Sequence, residues 1–495
     1  MKFTPNPHIY RCLIGSVALL FSVACAVGPN YKRPAAPQVP GYTPSPITTT
    51  SGTPNVTGGE AQHVIEGREI PGEWWALFHS KPLNDLIEQS LKANPNLKAA
   101  QAALVVAREN VRAQRGFYYP SAAAGFSADR SKTSNVVSPF TASGVLYYSL
   151  FTPQVNVSFV PDVFGLNKRT VESLKAQEQQ ARFALAATHI TLSSNVVAAA
   201  VQEASLREQI AATQELITIN TNMVQIVRNQ FAKGYVSRLE VAAQESQLAQ
   251  VTATLPPLLK QLAQESDLLA ALSGGFPNQE LPETFTLSNL QLPHDLPVSL
   301  PSQLVEQRPD VRQAQENLHF ASAQIGVAVA NRLPSFPLSA NAGSMALTFA
   351  SMFSSGTAFW DLAAGVTQPI FEGGTLAARE RAARAAYVQA DEQYKSTVLT
   401  AFQNIADTLN ALQQDADGLK AASAAKDAAA VTLHLTNKQF QTGYVGYLAL
   451  LNAEQTYQQA VIALVQAQAN RYSDTAALFQ ALGGGWWNRA DLLSK

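Results

Sequence analysis

The chain has 495 residues, of which 46% are hydrophobic and 14% charged, with a formal net charge of -1. The apolar fraction suffices for a large buried core, while a charged fraction well below the roughly one quarter of typical soluble proteins, and balanced in sign, disfavours a basic-patch function. Nucleic acid is therefore excluded as an expected partner.

The N-terminus reads "MKFTPNPHIYRCLIGSVALLFSVACAVGPNYKRP". Lys2 and Arg11 make a positive region, Leu13 to Ala24 an apolar stretch, and small residues precede Cys25, which predicts a secretory signal peptide over 1–24. Two readings of Cys25 stand side by side. In one it is lipidated and becomes the first residue of the mature chain, although Ser22 occupies the place where a lipobox usually has Leu. In the other, cleavage falls nearby and Cys25 is an ordinary thiol. Cys12 lies in the removed segment, so no intramolecular disulfide is available. Acylation would add anchoring energy on the order of 0.8 kcal/mol per buried CH₂, and Ala26 rather than Asp is compatible with onward transport to an outer membrane.

From about Pro34 to Gly72 the chain is rich in Pro, Thr, Ser and Gly, so residues 25–80 are expected to form an extended, loosely held arm. Beyond it the chain is duplicated. "NPNLKAAQ" at Asn94 matches "RPDVRQAQ" at Arg308, and "YYPS" ending at Ser121 matches "RLPS" ending at Ser335. "QFAKGYVSRLEVAAQESQ" at Gln230 matches "QFQTGYVGYLALLNAEQT" at Gln439, and "ALSGG" at Ala271 matches "ALGGG" at Ala481. Four landmarks in one order at nearly one spacing, offset by 214, 214, 209 and 210 residues, define a first repeat over 81–290 and a second over 291–486, followed by a tail, 487–495.

Each repeat has one plan. A helix of about 30 residues is expected to end before Pro120 or Pro334, because proline restricts the residue preceding it. Next come strand pairs at about 121–161 and 335–369, each with room for two strands of about ten residues, long enough to cross a bilayer when tilted. Val155, Val157 and Phe159 alternate with Asn156 and Ser158, and Phe336, Leu338 and Ala340 alternate with Ser339 and Asn341, the period-two pattern of half-exposed strands. Proline-free helical runs follow, Lys168 to Phe231 and Leu376 to Phe440, each a rod of roughly 95 Å at 1.5 Å per residue. They end in turns at 232–238 and 441–447. The apolar seam is expected at Leu216, Ile219, Met223 and Ile226, continuing on the return helix from Val241 through Leu248 and Val251 to Leu272. Pro256 and Pro257 should kink that return helix.

Four membrane-capable strands cannot close on themselves, and an open edge in lipid leaves backbone groups unsatisfied at several kcal/mol each. Several chains must share one barrel. Three would give 12 strands and a lumen that side chains need not fill. The fold expected is mainly α with a transmembrane β-barrel part, its long duplicated hairpins forming a second, helical barrel. Such an assembly is a conduit.

"CAVGPNYKRP", "RPDVRQAQ", "LPSFP", "QPIFEGG", "TGYVGYLALLNAEQ" and "ALGGGW" together resemble the TolC-like outer-membrane efflux proteins, in the lipoprotein branch that works with resistance-nodulation-division pumps. The resemblance runs from Cys25 to Trp486. It implies a homotrimer with a 12-stranded outer-membrane barrel and a periplasmic α-barrel, a periplasmic adaptor and an inner-membrane pump as partners, and small molecules as cargo. It also implies that the two turns are the periplasmic tip, where Gly234, Tyr235, Val236, Ser237, Gly443, Tyr444, Val445 and Gly446 are the candidates for docking the adaptor. Family members place acidic residues on the inner helix before the second turn; this chain instead has His434, Asn437 and Lys438. His434 and Asn437 are the candidates for a lumen constriction, and an acidic ring is in doubt.

No enzyme signature is present: the histidines from His63 to His434 include no pair at metal-ligand spacing, and there is no phosphate-binding loop or nucleophile elbow. No catalytic residue, metal or cofactor is expected. The alternatives are a type I protein-secretion duct on the same fold and a non-pore structural coiled-coil lipoprotein.

Overall fold

A computed structural model describes residues 26–132, 147–279 and 284–490. The signal segment and Cys25 lie outside the described residues, as does the link within the first strand pair. Contacts divide the chain into two compact units, one of Met1–Pro34, Leu104–Gln180 and Ala314–Tyr394, the other of Ala35–Ala103, Ala181–Gln313 and Lys395–Lys495.

The duplication is visible element by element. Short helices α1 (Lys81–Ala93) and α2 (Pro95–Arg115) precede strands β2 (Ser121–Lys132) and β3 (Tyr147–Phe159), then α3 (Leu166–Ala232) and its return α4 (Arg238–Leu272). In the second half α5 (Pro301–Gln307) and α6 (Pro309–Ala330) precede β5 (Leu338–Ser344) and β6 (Ala358–Ala364), then α7 (Thr375–Gln441) and α8 (Tyr447–Ala481). Both long helices have 67 residues and both returns have 35. At 1.5 Å per residue each long helix is about 100 Å.

Three expectations are corrected here. The first is the single 30-residue helix, which is two helices in each repeat, parted at Asn94–Pro95 and at Arg308–Pro309. Proline has no N–H to donate and bars its predecessor from the helical region, so it starts a new helix instead of continuing the old one. The two breaks are held by different side chains performing one task. Asn94 Nδ2 donates to the carbonyl of Leu272 at 3.0 Å, and Arg308 Nη1 donates to that of Ala481 at 2.9 Å, in each case the last residue of the return helix.

The second correction concerns the arm, which is firmly held. Its strand β1 (His63–Glu66) pairs in parallel with β4 (Asp295–Val298), His63 opposite Asp295 and Glu66 opposite Val298. Just beyond, Ile70, Trp74 and Phe78 are fully buried, and the Trp74 ring stacks on Phe479 at 5.2 Å. The third is the seam. Met223, Val227, Val241, Tyr447 and Leu450 form one buried cluster, whereas Ile226 is 43% exposed. The buried stripe runs through Leu216, Asn220, Met223 and Val227, spaced 4-3-4. Eleven residues make about three turns, which returns Val227 to the face of Leu216 and leaves Ile226 roughly 100° round the helix from it; the apolar 3-4-3 reading misses this because the second buried position is an Asn. Pro256 and Pro257 lie inside the return helix α4, Arg238–Leu272, with both side chains exposed.

Candidate membrane sheet and tip turns

The four strands of the first unit form one antiparallel sheet in the order β2-β3-β5-β6. The second pair is shorter than the ten residues expected, with seven in each strand against 12 and 13 in the first. Pro337, lacking an N–H, delays β5 to Leu338, and an isolated bridge from Ser335 to Thr367 carries the pairing past it. Register sorts the side chains. Val157 stands opposite Ala340 and Ala340 opposite Leu362, while Val155 stands opposite Ala342 and Ala342 opposite Trp360, so these share one apolar face with Phe126. Trp360 and Leu362 are 75% and 73% exposed on it. The other face carries Ser158, Ser339, Asn156, Asn341 and Asp361, with Asn341 Nδ2 donating to Asp361 Oδ2 at 3.0 Å. Further along β2 the apolar face gives way to Arg130 and Lys132, the latter lying 5.3 Å from the centre of the Tyr147 ring. Amphipathic side chains of this kind sit well at a membrane boundary. Among the described residues β2 and β6 each pair on one side only.

In the same unit the chain after Cys25 is tied down. Val27 N–H donates to the carbonyl of Phe164 at 3.1 Å. The buried Arg169 donates to Val27 O, Gly28 O and Asn30 Oδ1 at 2.9, 3.2 and 2.9 Å. Tyr31 stacks on His319 at 4.3 Å, and the hydrogen bonds of Glu316 and Glu172 to that imidazole raise its pKa above the usual value despite burial.

In the second unit the two turns are alike to the hydrogen bond. Gly234 N–H bonds Phe231 O at 2.9 Å and Tyr235 N–H bonds Gln230 O at 2.9 Å; Gly443 bonds Phe440 at 3.1 Å and Tyr444 bonds Gln439 at 2.9 Å. Both are Schellman caps, and they require the left-handed φ of +78° and +77° seen at Gly234 and Gly443. That requirement is why the Gly-Tyr-Val sequence occurs twice. Tyr235 and Tyr444 are 77% and 86% exposed, while Val236 and Val445 turn inward. Ser237 caps α4 in a capping box with Glu240; Gly446, without a side chain, occupies that place before α8. A cleft of about 690 Å³ lies between the turns, lined by Lys233, Tyr235, Val236, Gly443 and Val445 among others. His434 is exposed on α7, and Asn437 Oδ1 accepts from Gln441 Nε2 at 3.3 Å.

Behind the turns lies a polar layer that a search for apolar periodicity passes over. Gln244 Nε2 donates to Asn220 Oδ1 at 3.1 Å, the Tyr447 hydroxyl donates to Gln244 Oε1, and Gln455 Nε2 donates to Gln247 Oε1 at 2.9 Å. Glu454 is 3% exposed within it, and neither carboxylate oxygen has a hydrogen-bond partner among the described residues. Burial pushes its pKa up to about 7, against the nearby Gln244 amide, which acts to lower it.

A family model described as outer membrane efflux protein matches residues 86–275 and 300–484. The toluene efflux pump outer membrane protein TtgC of Pseudomonas putida is 27% identical over 473 residues, covering 94% of this chain and 93% of that protein. Outer membrane protein OprJ of Pseudomonas aeruginosa is 26% identical over 482 residues, with 95% and 96% covered. The solved structure of the outer-membrane channel OprN superimposes with a TM-score of 0.83 at 25% identity, covering 93% of this chain and 100% of that one.

Proposed function

Since this chain belongs to the outer membrane efflux protein family, a family of channels and not of enzymes, and is itself an outer-membrane efflux duct, we propose that three copies close into one passive pore. The observation that carries this reading is the sheet: four strands, one apolar face, one polar face, and two edges paired on one side only. In lipid such edges must be satisfied by further strands, and twelve give a barrel too wide for side chains to plug. The apolar face meets lipid and the polar face the lumen, while the paired long helices continue the duct as a periplasmic α-barrel.

The cargo is small toxic compounds, drugs among them, in line with a relative named for toluene efflux. A periplasmic adaptor docks at the two tip turns through Gly234, Tyr235, Val236, Ser237, Gly443, Tyr444, Val445 and Gly446, and a resistance-nodulation-division pump supplies the energy. Exposed tyrosines on rigid caps suit such docking, because a partner can bury them at little cost in conformational entropy. Co-purification of the adaptor should fall at least tenfold when Tyr235 and Tyr444 are both replaced by Ala; unchanged recovery removes the turns from the docking surface. His434 and Asn437 narrow the lumen before the second turn, and a lipid on Cys25 anchors the chain.

Purified from outer membranes, with the acyl group visible in the mass of the mature chain, the protein should give discrete single-channel currents in planar bilayers. A chain that inserts yet passes no current is a spacer, and one whose mature mass lacks the lipid is held by its barrel alone.

A further inference from the structure

Among the large apolar side chains exposed outside the strands, two groups flank the outer strands of the sheet. Phe117 and Tyr119, just before β2, are 68% and 73% exposed; Ile370 and Phe371, just after β6, are 95% and 87% exposed. Clusters of this size and exposure mark a surface that something covers. The register places both at one end of the sheet. Ser121 at the start of β2 stands opposite Ser158 near the end of β3, Phe159 opposite Leu338 at the start of β5, and Leu338 opposite Ala364 at the end of β6.

We propose that Phe117 and Tyr119 of one subunit pack against Ile370 and Phe371 of the next, sealing every junction of the ring at that end. This rests on the closed-ring reading and adds to it which side chains hold the joint. Closure by one repeated head-to-tail contact sets β6 of each copy beside β2 of its neighbour, so the segment leaving β6 and the segment entering β2 face each other at each junction. A second copy fits better than lipid tails, for two reasons. Glu380, ten residues beyond Ile370, pairs with both Arg384 and Arg332, the residue whose carbonyl accepts from Gln368, and an ion network of that kind is unsuited to hydrocarbon. The segment is also held for a specific fit: Gln368 Nε2 donates to Arg332 O at 3.0 Å and to Pro369 O at 2.8 Å.

The test is cross-linking of the full-length protein in outer membranes, using Tyr119→Cys combined with Ile370→Cys or with Phe371→Cys and a short bis-maleimide. The expected result is a covalent ladder up to trimer on a denaturing gel, with no ladder from any single substitution. The size of the unmodified protein in detergent reads ring closure separately: a monomer overturns the ring itself. A trimer in which both cysteines react with a monofunctional maleimide but no ladder forms overturns the seal. As a second arm, Ile370→Ser with Phe371→Ser should lower the temperature at which the trimer dissociates by several degrees, and an unshifted dissociation temperature also counts against the seal.

Discussion

Replacing Glu454 by Gln should raise the stability of the protein at pH 8 by about 3 kcal/mol and leave it nearly unchanged at pH 4. The carboxyl is 3% exposed, has no hydrogen-bond partner among the described residues, and titrates near 7 instead of the ordinary 4.5. Because the folded pKa is raised, the folded state holds the proton more tightly than the unfolded chain does. The acid therefore costs nothing below about pH 4.5, and its cost grows as pH rises toward 7. It is complete above that, where a carboxylate is buried beside Gln244 and Tyr447. Gln keeps the shape and cannot ionise. Thermal unfolding of both proteins in detergent from pH 4 to 8 measures this; curves that stay parallel across the window would falsify the assignment. Asp415, hydrogen-bonded to Asp474 and likewise raised to about 7, chiefly by burial, contributes a slope of the same sign that the Glu454 substitution leaves in place.

What could be read in advance was whatever repeats or alternates. The long helices run Leu166–Ala232 and Thr375–Gln441, within two residues at each end of the proline-free stretches that betray them. Val157 and Ala340 alternate with polar neighbours and stand opposite each other across the β3–β5 pairing. Features that depend on contacts distant in sequence were not legible. Nothing local says that Asn94 reaches the end of α4, or that Arg308 does the same for α8. Strand β1 lies in Pro- and Gly-rich chain and acquires its partner at Asp295, more than two hundred residues on. The polar layer was missed because an apolar template reads Asn220, Gln244 and Glu454 as solvent-facing, whereas all three are buried in the seam.

Replacing Arg471 by Met should cost about 3–5 kcal/mol, a larger effect, since it breaks a buried charge network from one side. Arg471 is fully buried on α8. Its Nη1 donates to Gly58 O at 2.6 Å and its Nη2 to Gln62 Oε1 at 3.1 Å and Thr50 Oγ1 at 3.3 Å, so one guanidinium binds three points of the arm. Gln62 passes the hold on, donating to Pro293 O and to Thr475 Oγ1, each at 3.1 Å. The arm is thus a strap across α8 fastened by one cation, with Glu60 and Asp415 opposing the loss of its proton that burial favours. Met fills the space but leaves the Gly58 carbonyl and the Gln62 amide oxygen without this donor, and deprives Asp415 of its positive neighbour. Lys, a point charge without the planar fork, should recover only part of the loss. Hydrogen exchange resolves the two links of the argument: in the Met variant, amides of residues 48–66 should exchange orders of magnitude faster while those in the middle of α7 hold. If the arm keeps its protection and the unfolding free energy falls by less than about 1 kcal/mol, then the pairing of β1 with β4 fastens the strap and Arg471 only lines it.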